Sequence, residues 1–312
     1  MDGTVAVLDA EDGGRVLGAR RAHAKYVVAL AWVGSWGLVS GAWDQKAALS
    51  CLAERTREQG PGEDAVDEAT PFELRPGFQA SFGGRVEDVL CTRVDSIPGQ
   101  SGSAGRVCEI AVAVRGSAHL YLLSFSDLSA PLVPAGLTPP AQPRISHLST
   151  RLLSANEARD DHASFTIARL GLFDPGNLSN AAGACSRPLL NASPGLPGPL
   201  WVLATDAGSV ILFDPETSAH VRTLTGLALG PFHAHALGVF GREALAVAAG
   251  EGGTLHAWRV ASGEALPPLR AHSPAAVRAL CVDPDSGTLF TASFDRSLKV
   301  FCVDPRGSPD AA

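Results

Sequence analysis

Three groupings of residues have the types and spacing to do chemistry. His233 and His235 flank Ala234 and could set two imidazoles on a metal. No cysteine or second spaced histidine pair lies near them, so packing between structural units is the reading for this pair. Asp160, Asp161 and His162 form the compact acid–base cluster. It falls in a stretch with weak strand pattern, which makes it an exposed turn rather than a tuned catalytic group. Gly250-Glu251-Gly252-Gly253 is rich in glycine, but it sits between two strand-like runs, where glycine supplies the positive φ of a turn. A phosphate loop of the form G-x-x-x-x-G-K, an H-E-x-x-H helix, a G-x-S-x-G elbow and an EF-hand loop are all missing from the sequence. The reading is a protein that is not an enzyme and has no catalytic residues, cofactor or metal.

The elements that would position such residues are short. Of 312 residues, 33 are glycine and 22 proline, while 46% are hydrophobic and 18% charged. That is a globular composition cut into many pieces. Runs of four to eight residues rich in Val, Leu, Ala and Phe alternate with Gly, Asp, Pro and Ser, the pattern of strands and tight turns. The formal net charge of -7 leaves no basic face for nucleic acid. No charged n-region and apolar core follow Met1, and no apolar run approaches the ~18 residues of a membrane span. An intracellular protein, cytoplasmic or nuclear, with no membrane partner is expected. The scattered Cys51, Cys91, Cys108, Cys185, Cys281 and Cys302 are read as small buried hydrophobes kept reduced.

The strand-like runs repeat. Tyr26 to Cys51 reads as three strands, with a tight turn at Trp43-Asp44-Gln45-Lys46; His272 to Phe301 has the same grammar. Aligning Asp44 with Asp295 sets Ser40 over Thr291 and His23 near His272. Extending the register gives a landmark on the third strand of each unit at Leu8, Ser50, Tyr121, Phe213, Trp258 and Phe301. Three of the five intervals match the roughly 40–45-residue period of a four-stranded unit. The interval from Tyr121 to Phe213 has room for two units, so a degenerate one is expected around Leu152 to Leu172. The interval from Ser50 to Tyr121 holds one unit plus an insertion at 54–73, where acidic residues outnumber Arg55 and Arg57. Segments 131–143 and 176–199 read as Pro/Gly/Ser-rich loops. On the strands, Trp32, Phe213, Trp258 and Phe301 are expected to point inward.

These residues resemble the WD40 repeat family. His23 through Leu38-Val39-Ser40-Gly41-Ala42-Trp43-Asp44 is similar to one repeat, and His272 through Thr291-Ala292-Ser293-Phe294-Asp295 to Phe301 is similar to another. Ala204 to Asp214 and Ala248 to Trp258 match more loosely. The resemblance implies an all-β fold, a WD40-type β-propeller of six or seven four-stranded blades forming a single domain over 1–312, with first and last units incomplete. It also implies a structural relay of buried hydrogen bonds, carried by His23, Ser40 and Asp44 in one repeat and by His272, Thr291 and Asp295 in the other. Where the family places a Trp after each relay, Ser50 and Phe301 stand. Trp258 keeps the Trp, but Gly252 replaces its Asp.

Thr4 to Leu8 reads as a third strand and Arg15 to Arg20 as a fourth, so the sequence starts in mid-repeat. Either the Arg15 to Arg20 strand closes the last blade, leaving six blades, or an upstream segment completes a seventh. In this family the loop rim is the usual partner surface, and Tyr26, Trp43 and Phe294 sit there as contact residues or as local packing. The implied function is a non-catalytic protein–protein interaction scaffold or adaptor in a larger complex, with other proteins or peptides as partners. The alternatives are a substrate receptor of a cullin-type ubiquitin ligase and a propeller enzyme with a central-channel site. Trp258-Arg259-Val260-Ala261 lacks the family's receptor signature, and no convergent acid–base set supports the enzyme.

Overall fold

The structure, a computed structural model, describes residues 2–9, 11–34, 36–54, 72–97, 105–117, 119–126, 144–149, 167–173, 200–205, 208–217, 219–226, 236–240, 245–283 and 288–302. Among the described residues there is no helix, and the regular structure consists of small antiparallel sheets. The chain divides into two compact units, residues 1–115 with 120–148, and residues 116–119 with 149–312.

The first unit carries a two-stranded sheet of β1 (Thr4–Leu8) and β2 (Val16–Arg21). Next comes a four-stranded meander of β3 (Val27–Val33), β4 (Gly37–Ala42), β5 (Lys46–Glu54) and β6 (Phe72–Ser81). A second meander follows, built from β7 (Val86–Ile97), β8 (Gly105–Val114), β9 (His119–Ser126) and β10 (Arg144–Ser149). β4 is buried along its whole length because both of its faces are covered. Leu38 lies on the side packed against Val5 and Val7, and Val39 on the side packed against Val86, Val89 and Val112. Gly41 permits the second contact, since a Cβ there would lie 2.4 Å from a Val86 methyl.

The second unit repeats the design. β11 (Ile167–Phe173), β12 (Leu200–Thr205), β13 (Val210–Asp214) and β14 (Ala219–Leu224) form one sheet. Another consists of β15 (Ala236–Phe240), β16 (Leu245–Ala249), β17 (Thr254–Arg259) and β18 (Leu269–Arg270). β19 (Val277–Asp283), β20 (Thr288–Ser293) and β21 (Leu298–Cys302) make a three-stranded sheet. The unbroken apolar runs of β12, β13 and β16 are buried throughout, as strands covered on both faces must be. Trp258 and Val260 pack with Leu200, Val202 and Leu212, joining the first two sheets of this unit. Each such side chain contributes roughly 1.5–3 kcal/mol relative to exposure. These sheets are consistent in size and connectivity with WD40 propeller blades, and among the described residues the first has two strands and the last three.

One backbone feature ties the six sheets to a common register. Five positions before each landmark the backbone is left-handed: Gly3 (φ 80), Gln45 (φ 68), Gly116 (φ 74), Gly208 (φ 75), Gly253 (φ 69) and Arg296 (φ 66). This is the turn that feeds the third strand. Gly253 is thus the member of the 250–253 run that needs its glycine.

Several expectations change. Ile167–Phe173 is not part of a separate degenerate unit: it pairs with β12 as the first strand of that sheet, from Ile167↔Thr205 to Phe173↔Leu200. Among the described residues, β2 is hydrogen-bonded to β1. The insertion is shorter than 54–73, since Glu54 pairs with Phe72 and Ala53 with Glu73, so these residues extend a hairpin. Trp32 points outward and is 54% exposed, whereas Phe213 and Trp258 are buried and Phe301 is half-buried against the core. Among the described cysteines, Cys281 and Cys302 are exposed, Cys108 is buried, and Cys51 and Cys91 are intermediate. Asp160, Asp161, His162, Cys185, His233, His235 and the segments 131–143 and 176–199 lie outside the described residues.

Candidate functional site

The relay residues meet as two triads, one in each unit, with the histidine and the hydroxyl residue buried and the aspartate nearer the surface. His23 follows β2 and is 4% exposed. Its Nδ1 lies 3.1 Å from Asp44 Oδ1, and its Nε2 lies 2.8 Å from Ser40 Oγ on β4. Asp44 also accepts the backbone amides of Ala24 at 2.9 Å and Lys46 at 3.2 Å. One carboxylate therefore clips the loop before β3 to the turn after β4. In the second unit, His272 Nδ1 lies 2.7 Å from Asp295 Oδ2 and its Nε2 2.6 Å from Thr291 Oγ1.

The proton positions follow from donor inventory. A carboxylate only accepts, so Nδ1–H must donate to it, and in a neutral ring Nε2 becomes the acceptor. The Ser40 and Thr291 hydroxyls then donate to Nε2. Their other acceptors, Ala48 O at 3.2 Å and Lys299 O at 3.4 Å, are farther away. The Ser297 hydroxyl, followed by the His272 ring and the Ser297 amide, holds the Asp295 carboxyl below the usual carboxylate range. Each buried polar atom of the triads has a partner, as burial requires. The arrangement fastens turns, and the Ser40 and Thr291 residues that carry its hydroxyls are buried.

Other positions show what happens without the full set. Ser50, in the place of the family's Trp, is fully buried and accepts a bond from Arg20 Nη1 at 3.2 Å. Trp258 finds no hydroxyl on β16, where Ala248 stands at the Ser40 position, and its indole N–H donates instead to Thr225 O at 2.9 Å. Phe82 occupies the place of the relay histidine before β7 and packs edge-on to Tyr121 at 5.1 Å.

At the turn surface of the first unit, Tyr26 and Trp43 form an edge-to-face pair, with centroids 5.5 Å apart and planes at 87°. The Trp43 amide donates to Tyr26 O at 3.0 Å, fixing the pair to the backbone. Tyr26 is 45% exposed. The Arg85 guanidinium lies over the Trp43 ring, 4.7 Å from its centroid. In the second unit Phe294 is 69% exposed, with the Arg278 guanidinium 5.0 Å from its ring centre. The structure thus brings Tyr26 and Trp43 together, and Phe294 stands with Arg278 in its own unit. Sequence reasoning missed both arginines. The available signal was a basic residue at the start of a first strand, Arg85 just before β7 and Arg278 at the second position of β19.

Among the described residues no cluster of His, Cys, Asp and Glu is arranged to hold a metal. No helix there is long and apolar enough to cross a membrane. The model of the WD40 family (WD domain, G-beta repeat) matches residues 263–302. No curated protein matches the chain. The matched segment runs from the loop before β18 through β21 and contains the whole His272–Thr291–Asp295 triad. WD40 domains are in general non-catalytic interaction modules, so protein partners are the general expectation. A WD40 repeat at 263–302, in a chain whose other sheets are strand meanders of the same kind, fits a protein of the WD40 repeat family.

Proposed function

We propose that this protein is a non-catalytic interaction scaffold, a component of a larger complex, that binds a protein or peptide through aromatic–arginine patches on its turn surfaces. The observation that carries the reading is the Tyr26–Trp43–Arg85 group. Tyr, Trp and Arg are the residues that dominate binding energy at protein interfaces. A guanidinium stacked on an indole keeps its N–H edge available for a carboxylate or a backbone carbonyl. The relay supports this role by holding the turn: Asp44 sits beside Trp43 and is tied to His23, so the aromatic is presented by a fastened loop. Phe294, beside Asp295, is supported in the same way in the second unit.

The test is affinity purification with mass spectrometry from the native cell, comparing wild type, Tyr26→Ala/Trp43→Ala and Arg85→Glu. The reading predicts a stoichiometric partner that both variants lose while their thermal midpoints stay near wild type. A partner retained by both folded variants would move the binding surface elsewhere.

A further inference from the structure

Two cysteines of the first unit meet across neighbouring strands. Cys91 on β7 and Cys108 on β8 are 17 residues apart in the chain. Cys91 pairs with Ile110, and period-two alternation sets Cys108 on the same face as Ile110. The two cysteines are therefore diagonal neighbours on one side of the sheet. A register shift between Cys91 and Arg93 adds a residue to β7, so that Cys108 pairs with Val94. The Thr92 hydroxyl at this bulge lies 3.1 Å from Glu109 O and 3.3 Å from Glu109 Oε2, which fastens the bulge to β8. The two Sγ atoms end 3.9 Å apart, in contact but not bonded.

The two thiols differ in their surroundings. Cys108 is fully buried in a core with Val39 and Leu49 of the neighbouring sheet, while Cys91 packs against that core and keeps part of its surface. The Cys108 thiol is held protonated, first by its hydrogen bond to Cys91 and then by burial, which disfavours the thiolate. One sulfur is thus within reach of a small solute, and the other stands behind it with its proton. Cys281 and Cys302 are more exposed, but β20 lies between their strands. Two strand spacings of ~4.8 Å exceed the Cα separation of about 7 Å that a disulfide can bridge.

We propose that Cys91 and Cys108 form a reversible oxidation site for a small hydroperoxide, with Cys91 taking the first oxidation and Cys108 resolving it. The Cys91 sulfur attacks a peroxide oxygen and the O–O bond breaks, leaving the Cys91 sulfenic acid and water or an alcohol. The Cys108 sulfur then attacks Cys91 Sγ. The S–O bond breaks as the S–S bond forms, and hydroxide leaves with the Cys108 proton as water. The peroxide gains two electrons, and each sulfur gives up one. An external dithiol returns two electrons and two protons by exchange. Closing the bond brings the sulfurs from 3.9 Å to ~2.0 Å. The pair shares no residue with the Tyr26–Trp43–Arg85 patch, so the two proposals stand or fall separately.

The test uses the 312-residue chain with Cys281→Ser and Cys302→Ser, which remove exposed thiols able to link one copy to another. After ~1 mM hydrogen peroxide, tryptic peptides 86–93 and 107–115 should appear joined and lighter by two hydrogens than their sum, and dithiothreitol should separate them. In Cys108→Ala, which keeps the buried position apolar, Cys91 should stop at the sulfenic acid and be trapped by dimedone at least roughly tenfold more than in the parent chain. In Cys91→Ala, Cys108 should stay reduced. The peptide map of the unaltered pair decides the matter even where Cys108→Ala fails to fold. No joined peptides, a bridge from either cysteine to Cys51 or Cys185, or a folded Cys108→Ala protein without a dimedone adduct at Cys91 would each overturn the proposal.

Discussion

Gln45 and Arg296 occupy the same left-handed turn position in repeats at opposite ends of the chain, with φ of 68 and 66, where the other four repeats place glycine. The Gln45 carbonyl accepts the Phe82 amide at 2.8 Å, and the Gly253 carbonyl accepts the His272 amide at the same distance. The left-handed residue thus aims its carbonyl at the residue that leads into the next sheet. The backbone geometry is kept even where the side chain opposes it.

Glycine should therefore be tolerated or favoured at both exceptions. Left-handed backbone costs an L-residue roughly 1–2 kcal/mol, partly offset by the ~0.5–1 kcal/mol of extra unfolded-state entropy that glycine brings. Gln45→Gly and Arg296→Gly are each expected to raise stability by about 0.5 kcal/mol in urea unfolding. Gly253→Ala is the opposite case. Its Cβ would lie 2.5 Å from backbone atoms of His272, Ser273 and Ala275, and a loss of about 2 kcal/mol or more is expected.

Removing a hydroxyl from either triad leaves a buried imidazole nitrogen without its donor. Ser40→Ala and Thr291→Val should each cost about 1–3 kcal/mol. Calorimetry of the full chain, with Ser50→Ala as a comparison that leaves the triads intact, measures it.

Acid should loosen the Asp295 turn in a defined window. Its carboxyl is held below the ordinary aspartate value of about 3.9, so its contribution is fully present above that pH. Below it the unfolded chain takes up the proton first, and the contribution fades as pH falls toward the depressed folded value. The gap in thermal midpoint between wild type and Asp295→Asn should be constant from pH 7 to 5 and shrink below pH 4. A gap that widens with acid would contradict the assignment.

The Arg85–Trp43 stack should be measurable apart from any partner. Arg85→Ala is expected to cost about 0.5–1 kcal/mol, the range for an exposed cation–π contact. Arg85→Ala in a Trp43→Leu background should cost less, and a double-mutant cycle isolates the difference.

The two triads were legible in the sequence because their members recur in type and spacing, His23, Ser40 and Asp44 against His272, Thr291 and Asp295. A tight turn leaves little freedom in where those side chains can go. Strand runs and turn positions were legible for the same local reason. What the sequence left open was which face of a strand would be covered. Period-two alternation says that Leu30 and Trp32 share a face, but a face is buried only if another element lies on it, and both side chains are more than half exposed. Cys281 and Cys302 were misread as core in the same way. The partner of Ile167–Phe173 was decided by pairing with β12, across residues 174–199, whose composition carries no register. Arg85 reaches Trp43 only because β7 packs face to face on β4. Local pattern determines strands, turns and clips, and the stacking of one sheet on the next decides which of their side chains meet solvent, a neighbour or a partner.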